Sequence, residues 1–347
     1  MKDSGKKTIV ITGGGGYIGT VLTETLLTAG YEVVILDRFF FGNLLADIQK
    51  DSKLRLIEGD IRTVSSALFE GIYGVCDLAA LSNDPAGELD PENTLDINYR
   101  GRVRICSLAK QAGVKRYVLA SSCSIYGFQD GIVDEMSAVN PLTTYAEANY
   151  RAEQECLPKA DENFSVTALR QSTVYGASRR MRFDLAINGM TLSAYKSSVV
   201  KLLRDGTQWR PMVHVKDTAR AFLAVLEAKA ASVNGQIFNV GSEEQNLQLR
   251  PLAERICTTA GIIPPVIEWY GDPDIRSYQV SFKKIVATLG YHTTNTPEDG
   301  VREIMQALKS GTLKDEPVTY TVKWYKHLLE VDSQILTAKH KGEVHPA

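Results

Sequence analysis

Gly13, Gly16 and Gly19 stand three residues apart, directly after the β-branched run Thr8-Ile9-Val10-Ile11-Thr12 and before a helical pattern that reaches Leu27. A second apolar run, 32–36, ends in an acid, Asp37. Glycines at this spacing between a strand and a helix bring backbone N–H groups against a pyrophosphate. Gly13 makes the tight turn, Gly16 lets the backbone approach the phosphates, and Gly19 lets the helix pack close to the strand. Tyr17 and Ile18 open that helix, whose N-terminal N–H groups and partial positive charge suit an anion. Asp37 lies about twenty residues on, where a carboxylate accepts both ribose hydroxyls of an adenosine. A 2′-phosphate there would meet a negative charge, which favours NAD over NADP, although Arg38 next door works against that preference. Strand, glycine turn, helix, strand and acid together read as a dinucleotide-binding βαβ unit rather than a glycine-rich surface turn.

Such a unit needs a sheet behind it. Strands are expected at 55–60, 74–80, 117–122 and 165–169, with helices at about 91–112 and 144–159. Strands separated by helices of this length build an α/β fold, a doubly wound parallel sheet of Rossmann type. Ligands of such sheets sit at the carboxyl ends of the strands, where Asp37, Asp60, Ala79, Ala80 and Ser122 all fall. After Gly176 the rhythm breaks. We expect a helix at 213–228, a strand at 236–241 and a helix near 297–309. Residues 1–176 therefore read as the dinucleotide-binding domain, with 213–242 returning to it. Residues 177–212 and 243–330 read as a smaller, discontinuous C-terminal substrate domain, and 331–347 as a flexible polar tail.

Composition excludes several classes. The 347 residues are 44% hydrophobic, enough for one large core and a smaller second one. With a net charge of -2 the chain offers no basic stripe for nucleic acid and no polybasic segment for a membrane surface. The charged N-terminus lacks an apolar signal segment, and no stretch approaches a membrane span. Five scattered cysteines without CxxC spacing read as reduced thiols in a cytoplasmic protein. Five histidines without ligand spacing give no metal site.

Several ordered motifs extend this reading. The chain carries Thr12 to Gly19, then Gly59-Asp60-Ile61-Arg62, Asp77-Leu78-Ala79-Ala80 and Asn98-Tyr99-Arg100-Gly101. Further on come Ser121-Ser122-Cys123-Ser124-Ile125-Tyr126-Gly127, Tyr145 after Pro141, Arg170 to Gly176, and Arg210 to Asp217. Across about 8–310 this series resembles the extended short-chain dehydrogenase/reductases, the NAD-dependent nucleotide-sugar epimerase/dehydratase family. One small departure is Thr173, where that pattern usually has Asn. The resemblance implies that Asp60 and Ile61 meet the adenine, and that Leu78, Ala79, Ala80, Ser82 and Asn98 lie beside the cofactor. Tyr175, at a strand end, either lines the nicotinamide pocket or packs in the core. For a nucleotide-diphosphate sugar, Arg210 and Arg276 resemble the family's diphosphate clamp, with Asn188 as a further donor. Cys123 and Ser124 stand where the sugar would be met, although a packed thiol is the commoner fate of a cysteine.

At the reacting centre the resemblance makes Tyr145 the acid/base and Ser122 the group that orients the reacting hydroxyl. The family lowers the tyrosine's pKa with a lysine four residues on, on the same helix face. Here that residue is Asn149, which can hydrogen-bond a ribose but carries no charge. Three explanations stand side by side: an inactivated variant that retains ligand, an enzyme using another cation such as Lys196 or Arg151 or a raised pH optimum, or a protein that binds without catalysing. Family members that dehydrate or decarboxylate the sugar place acids after the Ser/Thr. Cys123 and Ser124 are poor acids, which disfavours both reactions. The expected function is epimerisation, or simple oxidation or reduction, at a ring carbon through a keto intermediate. The alternative is a silent NAD and nucleotide-sugar binding protein. The resemblance also implies a homodimer, formed by pairing the helices near 93–110 and 145–159, with Val103, Leu108 and Leu157 serving either the core or that interface.

Overall fold

The first strand, β1 (Thr8–Thr12), is apolar along its length, and four of its five residues are buried. That pattern belongs to a strand covered on both faces by helices. A computed structural model describes residues 7–272 and 276–341, with side chains as far as Val331. In it, β1 lies inside a seven-stranded sheet. The other strands are β2 (Glu32–Asp37), β3 (Leu54–Glu58), β4 (Gly74–Asp77), β5 (Arg116–Ser122), β6 (Ser165–Gln171) and β7 (Gln236–Val240). Their spatial order is β7-β6-β5-β4-β1-β2-β3, and every neighbouring pair is parallel. The chain runs outward from β1 to β3 and then returns to the other side of β1 as β4. The reversal opens a crevice beyond the carboxyl ends of β1 and β4.

Alternation divides the core into two layers. Ile9 and Ile11 face α1 (Tyr17–Thr28), in a cluster shared with Leu22 and Leu26. Val10 faces the other way, into a cluster with Ile105, Cys106 and Ala109 of α2 (Arg102–Gln111) and Ala152 and Cys156 of α3 (Thr144–Cys156). A fourth helix, α4 (Val215–Glu227), packs beside α1 through Phe222, Val225 and Leu226. A third cluster lies apart from the sheet. It joins the helices Ala186–Ser197, Leu249–Thr259 and Pro297–Lys309 through Ile187, Met190, Leu252, Ile256 and Val301.

Three expectations need correction. The expected helix from 213 begins at Val215, because Trp209–His214 is a strand pairing in parallel with Thr173–Tyr175 and antiparallel with Asn246–Gln248. The segment from 331, expected as a tail, continues the helix Thr321–Lys341, and 342–347 lie outside the described residues. The helix expected across 91–112 is interrupted. Pro91–Leu95 leads into a wide π-helical turn, Asp96–Gly101, before α2. Wide turns of this kind hold one extra residue and redirect the side chains that follow.

The glycine turn is as close-packed as its sequence demands. Gly13 has φ +71°, and a Cβ there would sit 2.8 Å from the Ala79 nitrogen. A Cβ on Gly19 would sit 2.3 Å from the Gly13 oxygen and 2.6 Å from the Gly14 Cα. These are backbone atoms with no rotamer to escape into. Gly19→Ala is therefore expected to cost about 1–3 kcal/mol of unfolding free energy, measured by urea denaturation. A loss under a few tenths of a kcal/mol would mean that the helix is free to shift away from the strand.

Candidate active site

The crevice has a volume of about 1710 Å³. That exceeds the roughly 300–1,000 Å³ of a site for one drug-sized ligand and leaves room for two ligands side by side. Gly13, Gly16, Tyr17, Ile18 and Gly19 form one end of it. The N-cap of α1 is Gly16, and no side chain caps it. A Cβ on Gly16 would come near only the Gly13 oxygen, at 3.1 Å, so the side toward the crevice is open for an anion. Tyr17 is anchored by its hydroxyl, which donates to the Gly176 carbonyl at 2.6 Å.

Asp37 stands at the end of β2. Its two oxygens accept the Gly15 and Phe39 N–H groups at 2.9 and 2.7 Å. Burial pushes this carboxyl up, and the two N–H groups hold it down. Each oxygen keeps a lone pair for a further donor. Arg38 lies over the Phe40 ring at 5.3 Å. Asp60 is held by Arg62, whose guanidinium lowers its pKa. Asp60, Ile61, Leu78, Ala79, Ala80 and Ser82 continue the wall. An uncapped helix start, an open glycine and a carboxylate with spare acceptor capacity fit a dinucleotide.

The reacting end lies across β5. Ser122 is the last residue of that strand, and Tyr145 opens α3, which Thr143 caps by accepting the Ala146 N–H at 3.2 Å. Tyr145 and Ser122 both line the crevice, and the Ser122 hydroxyl accepts the Ser124 N–H at 3.1 Å. Burial raises the Tyr145 pKa, and the charge of Asp84 raises it further. Arg102, Arg182 and Ser122 pull it back. Asn149 is buried on the next turn. Its Oδ1 accepts from Arg102 Nη1 at 2.9 Å, and its Nδ2 donates to the Tyr145 carbonyl at 2.9 Å.

The two cations weighed as substitutes for a lysine are engaged elsewhere. Arg151 pairs with Glu147 on the exposed side of α3, and Lys196 pairs with Asp315. At the substrate end, Arg210 and Arg276 both line the crevice. Arg210 donates to the carbonyls of Trp209 and Arg276 and lies over the Tyr278 ring, while Arg276 pairs with Asp84.

Four residues singled out in the sequence do not line the crevice. Cys123 is buried, and its thiol donates to the Arg170 carbonyl at 3.2 Å. Its neighbour Ser124 does line the crevice, with a hydroxyl that has no partner among the described residues. Tyr175 is buried against His214, and its hydroxyl donates to Gln245 at 2.8 Å. Asn188 accepts from the Gly176 N–H and donates to Tyr17 and the Arg182 carbonyl, so its amide is spent inside the protein. Asn98 exchanges two hydrogen bonds with the Leu81 backbone and so shapes the wall from behind.

Other residues enter the site without a sequence signal. Arg102, Asp84 and Asp184 all line the crevice. The basic run Arg179-Arg180-Met181-Arg182, which by sequence either adds charge to the substrate side or forms a solvated loop, splits. Arg179 is on the surface with Glu24 and Asp47, whereas Arg180 and Arg182 are buried. The helix Thr321–Lys341 closes one side. Trp324 donates to the Phe40 carbonyl at 2.6 Å, and Tyr325 stands 5.5 Å from Phe41, ring to ring. Among the described residues no three His, Cys, Asp or Glu side chains are placed to hold a metal ion, and no helix is long and apolar enough to cross a membrane.

This architecture has known counterparts. Residues 9–241 match the NAD dependent epimerase/dehydratase family. The UDP-glucuronic acid decarboxylase 1 of Danio rerio is 24% identical over 318 residues, covering 88% of this chain and 73% of that protein. A putative UDP-glucose 4-epimerase of Methanocaldococcus jannaschii is 28% identical over 313 residues, covering 87% of this chain and 99% of that protein. The solved structure of MoeE5 in complex with UDP-glucuronic acid and NAD superimposes with a TM-score of 0.76 at 26% identity, covering 88% of this chain and 100% of MoeE5. The glycine turn, the sheet order and these matches agree: the chain belongs to the NAD-dependent epimerase/dehydratase family.

Proposed function

We propose that this protein is an NAD-dependent enzyme that epimerises, or simply oxidises or reduces, a ring carbon of a nucleotide-diphosphate sugar through a keto intermediate. The observation that carries this reading is that Tyr145 and Ser122 line one crevice with the glycine turn, Arg210 and Arg276. NAD, when bound, supplies the hydride acceptor for the carbinol carbon. Tyr145 takes the proton of the reacting hydroxyl and returns it, and Ser122 orients that oxygen. Asp37 accepts the adenosine ribose hydroxyls. Arg210 and Arg276 face the diphosphate.

Dehydration and decarboxylation remain disfavoured on chemical grounds. Cys123 is out of reach of the crevice, and the Ser124 hydroxyl is a poor acid. Asp84, whose charge reaches Tyr145, is held by Arg276 and by the Thr143 hydroxyl. A second reading, binding without turnover, is favoured by Asn149, which puts an uncharged amide where a lysine is expected. Pairing of two copies through α2 and α3 belongs to the same proposal, because Val103, Leu108 and Leu157 stay only partly buried within one chain.

The test is a panel of UDP-, GDP-, CDP- and dTDP-hexoses with NAD⁺, followed at 340 nm and by sugar NMR from pH 7 to 10. Interconversion of two epimers without net NADH is the expected result, and NADH accumulation would specify a dehydrogenase. Bound ligands with no conversion across that range would establish the binding reading instead.

A further inference from the structure

Arg102 is a guanidinium buried within the site, only 1% exposed, and no motif announces it. It is the first residue of α2, directly after the wide turn Asp96–Gly101. Gly101 lets this turn approach the loop after β3, since a Cβ there would sit 2.9 Å from Ile61 Cδ1. The guanidinium enters between the ends of β4 and β5. Nη2 donates to the Asp77 carbonyl at 3.0 Å and to the Ala120 carbonyl, and Nη1 donates to Asn149 Oδ1 at 2.9 Å. Nε has no hydrogen-bond partner among the described residues and lies 3.5 Å from Asp77 Oδ2. The Asp77 carboxylate already accepts from Thr12 and Tyr117.

We infer that Arg102, joined to α3 through Asn149, supplies the positive charge for Tyr145 that a lysine at position 149 would otherwise provide. The inference rests on the proposed role of Tyr145 and deepens it. Asn149 bridges the two: one end of its amide accepts from Arg102, and the other donates to the Tyr145 carbonyl. A lysine at 149 would put an ammonium beside this guanidinium. The arginine at 102 and the amide at 149 are therefore a matched pair, and the missing lysine is not by itself a lesion.

The other charges around Tyr145 leave this role open. Asp84 opposes its ionisation and is neutralised in part by Arg276, while Arg182 favours it and is neutralised in part by Asp184. Arg102 shares its charge with Asp77 at the longer distance of 3.5 Å. Arg102 acts on the tyrosine through space and through Asn149, so it is a positioning residue.

The experiment reads the Tyr145 phenolate directly. Ultraviolet difference titration of the protein against Tyr145→Phe, each with and without NAD⁺, isolates this one ionisation from the other tyrosines. Arg102→Met is expected to raise the midpoint by about one pH unit, which is about tenfold less phenolate at a given pH. Arg102→Lys should stay close to the parent. Asn149→Lys alone should lower the melting temperature, because two cations would share one buried site. The exchange Arg102→Thr with Asn149→Lys should restore both the midpoint and the melting temperature. A folded Arg102→Met protein with an unmoved midpoint would overturn the inference. Should Arg102→Met fail to fold, an exchange variant that folds with a raised midpoint would overturn it equally. The titration needs no substrate, so the two readings fail separately. Silence toward every nucleotide sugar ends the proposed reaction, whereas an unmoved phenolate in an active enzyme ends only the role of Arg102.

Discussion

Tyr145→Phe is expected to lower turnover about 10²–10⁴-fold, the usual worth of one positioned acid/base group. The substitution removes a hydroxyl and leaves the ring, the N-cap of α3 and the Asn149 bridge to Arg102 in place. Binding should survive, because the glycine turn, Asp37 and both crevice arginines are untouched. The parent should show a direction with pH. Burial and Asp84 hold the tyrosine above the pKa of a free phenol. The phenolate is the base in oxidation, so turnover should rise with pH below that pKa and level off above it. Turnover by Tyr145→Phe within threefold of the parent, at saturating NAD⁺ and sugar nucleotide, would remove Tyr145 from the mechanism.

Glu153→Ala is expected to lower the unfolding free energy by about 3–5 kcal/mol, because it strands a buried guanidinium. Glu153 is fully buried on α3, and Arg170 of β6 is 3% exposed. They meet through Nε–Oε1 at 3.0 Å and Nη2–Oε2 at 2.7 Å. Arg170 also donates to the Tyr126 hydroxyl at 2.9 Å, beneath the segment that carries Ser122 and Ser124. The pair thus fixes the helix bearing Tyr145 against the strand next to Ser122. Replacing both partners by methionine should cost less than Glu153→Ala, since no charge is left unpaired. A midpoint shift in urea worth under 1 kcal/mol for Glu153→Ala would mean that water reaches Arg170 in the native protein.

Much of the site was legible because it is local. A strand, three glycines, a helix and an acid are consecutive in the chain, and their spacing alone requires a turn that brings N–H groups to an anion. Tyr145 and Ser122 were legible from the motifs around them, and both line the crevice. The sequence left directions open where a single residue decides them. Cys123 and Ser124 are adjacent, yet one is sealed in the core and the other faces the crevice. Tyr175 takes the core alternative, and Asn188 turns away from the crevice, because their polar atoms find partners in Gln245 and Tyr17, 70 and 171 residues away.

By itself the sequence determined the parallel α/β sheet and the glycine turn, because each is written in short-range period and spacing, and the resemblance of its motifs pointed to Tyr145 and Ser122. Tertiary structure alone decided that a buried cation meets Asn149. Arg102 lies 47 residues from Asn149, and it reaches it because a wide helical turn redirects α2 and parallel pairing brings the ends of β4 and β5 together. No one-dimensional pattern encodes that meeting, because a buried charge is placed by whatever carbonyls and amides converge on it from separate elements.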